Sequence, residues 1–120
     1  MKLIIVDESA DTCEMLTFIL KGLGHAVWSV DNFSDGVPLV HEHSPDMVMI
    51  DLNTKGLPVD QFIKAVQTHC PSVEFVAMSG ARTVMVRGHA LHLRRYLQKP
   101  FEPGDVQKAI GPKPPKVAQK

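Results

Sequence analysis

The sequence alternates between short apolar runs and longer segments with helical spacing, and this alternation restricts the fold more than any other feature. Leu3–Val6 and Met47–Ile50 are continuous apolar runs, which are typical of strands buried on both faces. Similar runs predict three more strands, at 26–30, 73–78 and 95–98. Apolar residues spaced three and four apart predict helices between them, at 9–22, 35–43, 58–69, 82–91 and 102–110. Five strand–helix units predict a doubly wound α/β fold, in which helices cover both faces of a parallel sheet, and are too few for a closed barrel of eight units.

Composition and charge exclude several classes of protein. Apolar residues make up 44% of the 120 residues and charged residues 22%, a balance typical of a globular domain. No apolar run approaches the roughly 20 residues that a membrane helix needs, and the first apolar run is too short for a signal peptide. The formal net charge of zero removes the strongest indication of nucleic-acid binding. Cys13 and Cys70 lack metal or redox spacing and are interpreted as reduced thiols, so we expect a cytoplasmic protein that does not associate with membranes.

The last ten residues differ from the rest of the chain. Residues 111–120 contain three prolines and three lysines and no acidic residue. Proline cannot continue a helix, so this segment is interpreted as an extended linker or a free end, and its charge as that of a solvated tail. Residues 1–110 are therefore expected to form the domain.

Polar side chains follow four of the five predicted strands at the point where each strand ends. They are Asp7-Glu8, Asp51 with Asn53, Ser79-Gly80 and Lys99-Pro100. In a sheet of order 2-1-3-4-5 the second strand is an edge, so the ends of the other four converge on one cleft, where open parallel sheets bind ligands. Each group alone has a structural explanation, such as capping of the first helix by Asp7 and Glu8. The joint arrangement favours a functional site.

The residue types in this cleft predict a particular chemistry. Three carboxylates repel one another unless a cation is present, and oxygen ligands of this kind suit Mg²⁺. Lys99 is then placed to hold an anion that shares the site, and the Ser79 hydroxyl can donate to the same anion. The set predicts a site that receives a phosphoryl group on a carboxylate oxygen.

In their order and placement, these motifs resemble the receiver domains of two-component response regulators, including the chemotaxis regulators. The resemblance covers residues 1–110 and implies a flavodoxin-like, three-layer α/β/α sandwich. It implies that Asp51 is the phosphoacceptor and that Lys99 pairs first with Asp51 and later with the phosphoryl oxygens. It also implies a Mg²⁺ site formed by Asp7, Glu8, Asp51 and the backbone carbonyl of Asn53, in which Glu8 is a direct ligand and Asp7 acts mainly through water. Ser79 would donate a hydrogen bond to the phosphoryl group, and Tyr96 stands at the aromatic switch position.

The resemblance implies a signalling switch and not an enzyme, apart from Mg²⁺-dependent self-phosphorylation and slow self-dephosphorylation. The phosphoryl group would come from a histidine kinase or a histidine phosphotransfer protein, and the output would go to a protein effector or a fused output domain. Leu93-Arg94-Arg95 replaces the small residues usual before the aromatic position, so a phosphorylation-independent interaction module remains an alternative. A small phosphohydrolase is disfavoured, because Asn53 stands where such an enzyme needs a second carboxylate.

Four arginines surround the fourth predicted helix, at 82, 87, 94 and 95. Such a basic region can meet an acidic partner, but a solvated face is the ordinary expectation. The sequence therefore assigns these arginines no role in the site.

Overall fold

The computed structural model describes residues 1–80 and 84–112, except for the side chains of residues 84 and 85. It contains one sheet of five parallel strands in the order β2-β1-β3-β4-β5, which confirms the predicted fold class and strand order. The strands are β1 (Lys2–Val6), β2 (Ala26–Val30), β3 (Met47–Asp51), β4 (Glu74–Ser79) and β5 (Arg95–Gln98). The helices are α1 (Ala10–Gly22), α2 (Phe33–His43), α3 (Val59–His69), α4 (Val84–Ala90) and α5 (Pro103–Ile110).

Two apolar clusters, one on each face of the sheet, hold the strands in place. Alternate residues of β1 and β3 point to opposite faces, so each strand contributes to both clusters. One cluster includes residues of α2 and α3, such as Phe33 and Phe62, and the other includes residues of α1 and α5, such as Leu16 and Val106. Because β1 and β3 are buried on both faces, the positions where they end are fixed by the core.

Two polar side chains determine where the first two helices begin. The Ser9 side chain accepts a hydrogen bond from the Thr12 N–H, 3.2 Å away, and starts α1 one residue after the prediction. Asn32 accepts from the Asp35 N–H at 2.8 Å and starts α2 at Phe33, two residues earlier than predicted. Pro38 therefore lies inside α2 and not near its first turn. At this position it removes one intrahelical hydrogen bond.

Some expectations fall wholly or partly outside the part of the chain that the structure describes. These are the start of the fourth helix, at residues 82 and 83, and the tail beyond Pro112. The structure describes α4 from Val84. Among the described helices, none has the length and apolar character needed to cross a membrane.

Candidate functional site

Two carboxylates and one ammonium group meet at the carboxyl edge of the sheet. Asp7 directly follows β1, Asp51 is the last residue of β3, and Lys99 directly follows β5. The Lys99 Nζ atom lies 2.6 Å from Asp7 Oδ2 and 3.0 Å from Asp51 Oδ2. The Asp7 side chain is 1% exposed, whereas that of Asp51 is 16% exposed. One cation therefore serves two carboxylates, of which only Asp51 has appreciable access to solvent.

The second oxygen of each carboxylate is held by the backbone two residues further along. Asp7 Oδ1 accepts a hydrogen bond from the Ser9 N–H at 2.8 Å, and Asp51 Oδ1 accepts one from the Asn53 N–H at 2.9 Å. This local turn is characteristic of aspartate and follows from its short side chain. With Oδ1 held in this turn, the Oδ2 atoms of Asp7 and Asp51 are directed to Lys99.

Burial and their mutual contact shift the pKa values of Asp7 and Lys99. Burial raises the pKa of the Asp7 carboxyl, and the hydrogen bonds from Lys99 and from the Ser9 N–H only partly oppose this change. Burial by itself lowers the pKa of the Lys99 ammonium, but hydrogen bonds to Asp7 and Asp51 outweigh it, so that the pKa is raised. Lys99 therefore stays charged at neutral pH, and Asp7 is the group that ionises at a cost.

Glu8 points to a neighbouring loop and does not join the other two carboxylates. Its Oε2 atom accepts a hydrogen bond from the Lys55 N–H at 2.8 Å, and the Lys55 carbonyl accepts one from the Phe33 N–H at 2.9 Å. Gly56 makes this close approach possible, because its φ is +113° and a Cβ there would lie 2.9 Å from the Ser34 nitrogen. Within residues 1–80 and 84–112, no three side chains of His, Cys, Asp or Glu are grouped to hold a metal ion.

An arginine that the sequence did not indicate binds the loop that follows Asp51. Arg87, on α4, donates from Nη1 to Asn53 Oδ1 at 2.9 Å and from Nη2 to the Leu52 carbonyl at 3.2 Å. Arg95 is likewise not on a solvated face, since it is 5% exposed and donates to the carbonyls of Ala109 and Gly111. No local pattern indicates either contact, because each joins residues that are distant in sequence.

Ser79 and Tyr96 occupy different surroundings. Ser79 is fully buried at the end of β4, and its carbonyl accepts a hydrogen bond from the Lys99 N–H at 2.9 Å. Tyr96 is half-buried on β5, and its hydroxyl donates to the Leu93 carbonyl at 2.8 Å. The Tyr96 ring lies against Gly88 of α4, where an added Cβ would be 2.6 Å from Tyr96 Cε1. The side chain of Tyr96 is therefore packed directly under α4.

Comparison with known proteins agrees with this geometry. Residues 3–111 match the family model described as the response regulator receiver domain. Protein PilH of Pseudomonas aeruginosa is 32% identical over 113 residues, which cover 91% of this chain and 93% of PilH. The DNA-binding response regulator MtrA of Mycobacterium tuberculosis is 28% identical over 108 residues, which cover 88% of this chain and 46% of MtrA. This chain thus spans about half the length of MtrA.

Solved structures show the same fold. The chemotaxis response regulator CheY4 of Vibrio cholerae superposes with a TM-score of 0.80 at 21% identity, covering 89% of this chain and 92% of that one. A putative response regulator from Chloroflexus aurantiacus superposes with a TM-score of 0.77 at 25% identity, covering 88% and 89%. Receiver domains are in general signalling modules that bind Mg²⁺ in an acidic pocket and interact with kinases and effectors. This chain belongs to the receiver domain family of two-component response regulators.

Proposed function

We propose that this domain accepts a phosphoryl group on Asp51, in a Mg²⁺-dependent step, from a histidine kinase or a histidine phosphotransfer protein. The modification would change its affinity for a downstream protein effector or a fused output domain. The observation that carries this proposal is the position of Lys99, within 2.6 Å of Asp7 and 3.0 Å of Asp51 at the carboxyl edge of the sheet. A shared lysine is poised to stay with one carboxylate while a new anion forms on the other.

Exposure supports Asp51, and not Asp7, as the acceptor. A donor histidine must reach the attacking oxygen, and only the Asp51 side chain, at 16% exposure, is open to the outside. A carboxylate oxygen of Asp51 would form a bond to phosphorus while the bond from phosphorus to the donor imidazole nitrogen breaks. The electron pair of that bond stays on the imidazole nitrogen. Lys99 would then pair with the phosphoryl oxygens, and the Asn53 N–H would continue to orient the acceptor.

The donor set of the site fits a divalent cation. Asp7, Glu8 and Asp51 carry three negative charges when ionised, against the one positive charge of Lys99. Mg²⁺ would be held by the carboxylates of Asp7 and Asp51 and by the carbonyl of Asn53, and Glu8 would have to leave the Lys55 N–H to join them. When bound, the ion supplies positive charge against the phosphoryl group in transfer.

Ser79 and Tyr96 would carry the signal away from Asp51. The Ser79 hydroxyl would donate to the phosphoryl group, which would draw Ser79 towards Asp51. Tyr96 would then change its position, and the contact between its ring and Gly88 means that α4 would have to move with it. The phosphoryl group can shift this equilibrium only by binding one arrangement better than the other.

The remaining expectations concern the chain as a whole. We infer that residues 1–110 act as the receiver domain and residues 111–120 as a linker or free end. We also infer a cytoplasmic location, no membrane association and no direct nucleic-acid binding by this domain. Beyond its own phosphorylation and dephosphorylation, the domain would have no enzymatic activity.

A phosphorylation-independent interaction module is the second candidate function. Two contacts favour it, because one holds α4 and the other holds the Tyr96 side chain in its present place. Arg87 binds the loop after β3, and the Tyr96 hydroxyl is held by the Leu93 carbonyl. If these contacts outlast phosphorylation, the face formed by α4 and β5 does not respond.

Two experiments test the proposed function. Incubation with acetyl phosphate and Mg²⁺ should give one hydroxylamine-labile adduct on the peptide that carries Asp51, seen by mass spectrometry. An adduct that persists in Asp51→Asn, or that lies on a histidine, contradicts the mechanism. Amide NMR with Mg²⁺ and fluoroberyllate then separates the two candidates, since shifts that reach residues 82–97 support the switch. Shifts confined to the loops around Asp7, Asp51, Ser79 and Lys99 support the module.

A further inference from the structure

The guanidinium group of Arg87 connects α4 to the loop that follows the phosphoacceptor. It binds this loop twice, through the Asn53 side-chain oxygen at 2.9 Å and the Leu52 carbonyl at 3.2 Å. The Asn53 N–H in turn donates to Asp51 Oδ1 at 2.9 Å. The two residues that follow Asp51 are therefore held by Arg87, and Asn53 is also held by Asp51.

Arg87 differs from the two arginines that follow it in the sequence. Arg94 and Arg95 pair with Glu74, at 3.1 and 3.3 Å. Within residues 1–80 and 84–112, Arg87 has no carboxylate oxygen within 4.0 Å, and it directs its charge to two neutral oxygens of the acceptor loop. Such charge-assisted, two-point contacts fix the orientation of the groups they bind more firmly than neutral ones.

These contacts leave the backbone carbonyl as the oxygen of Asn53 that is still uncommitted. Its side-chain oxygen is bound to Arg87 and its N–H to Asp51. In the described part of the chain, no hydrogen-bond donor reaches its backbone carbonyl. Arg87 thus holds the Leu52 carbonyl and the Asn53 side chain towards α4. The Asn53 backbone carbonyl is the oxygen left for a cation.

We propose that Arg87 is a positioning residue for the metal-binding step, which fixes the Leu52–Asn53 backbone so that the Asn53 carbonyl is presented to Mg²⁺. This inference rests on the proposed function, because it assigns a support to one of the proposed ligands. Groups that orient metal ligands in this way commonly change metal affinity by about 10- to 100-fold when removed. Because Arg87 is only half-buried, we expect the lower end of that range.

The sign of the effect separates positioning from simple electrostatics. Arg87 is a cation close to a cation site, so removal of its charge alone would strengthen Mg²⁺ binding. Loss of positioning would weaken it. We therefore expect Arg87→Met to bind Mg²⁺ about tenfold more weakly than the parent, against the direction that its charge predicts.

The experiment is a Mg²⁺ titration of the whole chain followed by amide NMR. Arg94→Met is the matched control, because it removes the same charge from a side chain that is 66% exposed and paired with Glu74. We expect it to change the affinity less than twofold. Arg87→Lys keeps the charge but cannot bind two acceptors in a fork, so its affinity should fall between those of the parent and Arg87→Met. Without Mg²⁺, the side-chain amide signal of Asn53 should shift in Arg87→Met and not in the control.

Unchanged or tighter Mg²⁺ binding by Arg87→Met would overturn the role of Arg87. If thermal melting shows that Arg87→Met does not fold, Arg87→Lys decides, and binding equal to the parent overturns the inference. Failure of the proposed function looks different. In that case the parent itself does not bind Mg²⁺ at these loops, or Asp51→Asn binds it equally well.

Discussion

Removal of the Lys99 charge should destabilise the metal-free protein, because it strands a buried carboxylate. In Lys99→Met the Asp7 side chain, 1% exposed, loses the partner at 2.6 Å, and Asp51 loses the one at 3.0 Å. Methionine keeps most of the length and apolar volume of the lysine stem. The change therefore removes the ammonium group with little loss of packing.

The size of the loss follows from the burial of the two partners. Breaking a buried pair from one side costs about 3–5 kcal/mol, and the partly exposed Asp51 recovers some of this from water. The loss is also capped, because Asp7 can take up a proton. At pH 7, a carboxyl whose ordinary pKa is 3.8 is neutralised for at most about 4.4 kcal/mol, at about 1.36 kcal/mol per pH unit. We expect a loss of about 3 kcal/mol, or roughly 12 °C in melting temperature for a domain of this size.

The loss should depend on pH in a defined direction. The pKa of Asp7 is already raised in the parent, and removal of Lys99 raises it further. The folded variant then binds more protons than the unfolded chain, so its stability falls as the pH rises through the raised pKa. The difference from the parent should be largest at neutral pH and should shrink as the pH falls towards 3.8.

Urea unfolding in the presence of EDTA, at pH 7.5 and pH 5.0, measures both effects. Lys64→Met is the control, since Lys64 is an exposed residue of α3 and its replacement should change stability by less than about 0.5 kcal/mol. The double variant Asp7→Asn/Lys99→Met should recover part of the loss. A loss below about 1 kcal/mol, or one that is equal at both pH values, would refute the electrostatic argument.

Three further predictions concern the metal, the packing under α4 and a buried arginine. Mg²⁺ at ten times its dissociation constant should stabilise the fold by about 1.4 kcal/mol, seen as a rise of roughly 5 °C in the melting temperature, and Asp51→Asn should remove most of this rise. Gly88→Ala should destabilise the fold by about 1 kcal/mol, measured by urea unfolding, because overpacking against the Tyr96 ring outweighs the helix-forming gain. Gly22→Ala, with open space at its Cβ position, should instead be neutral or stabilising, and equal effects of the two would contradict the packing argument. Arg95→Met should cost about 3 kcal/mol in the same assay, because it leaves the carbonyls of Ala109 and Gly111 without their buried donor, and a cost below about 1 kcal/mol would refute this.

The sequence by itself determined the order of the elements and which polar residues could meet. Apolar runs such as Leu3–Val6 report burial on both faces, and this signal is local to each segment. The carboxyl ends of parallel neighbours lie at one edge of the sheet, so residues at those ends come together whatever the loops do. For this reason the meeting of Asp7, Asp51 and Lys99 could be predicted without coordinates.

Only the tertiary structure decided the contacts that depend on the reach of a side chain across loops. Glu8 was expected beside the other carboxylates, but the close packing of the loop around Gly56 on the start of α2 offers it the Lys55 N–H. Arg87 was expected on a solvated face, but α4 lies near enough to the Leu52–Asn53 backbone for its guanidinium to bind there. Both contacts join residues at least 34 positions apart. Their geometry is set by how helices and loops pack on the sheet, and the spacing of residues along the chain does not encode it.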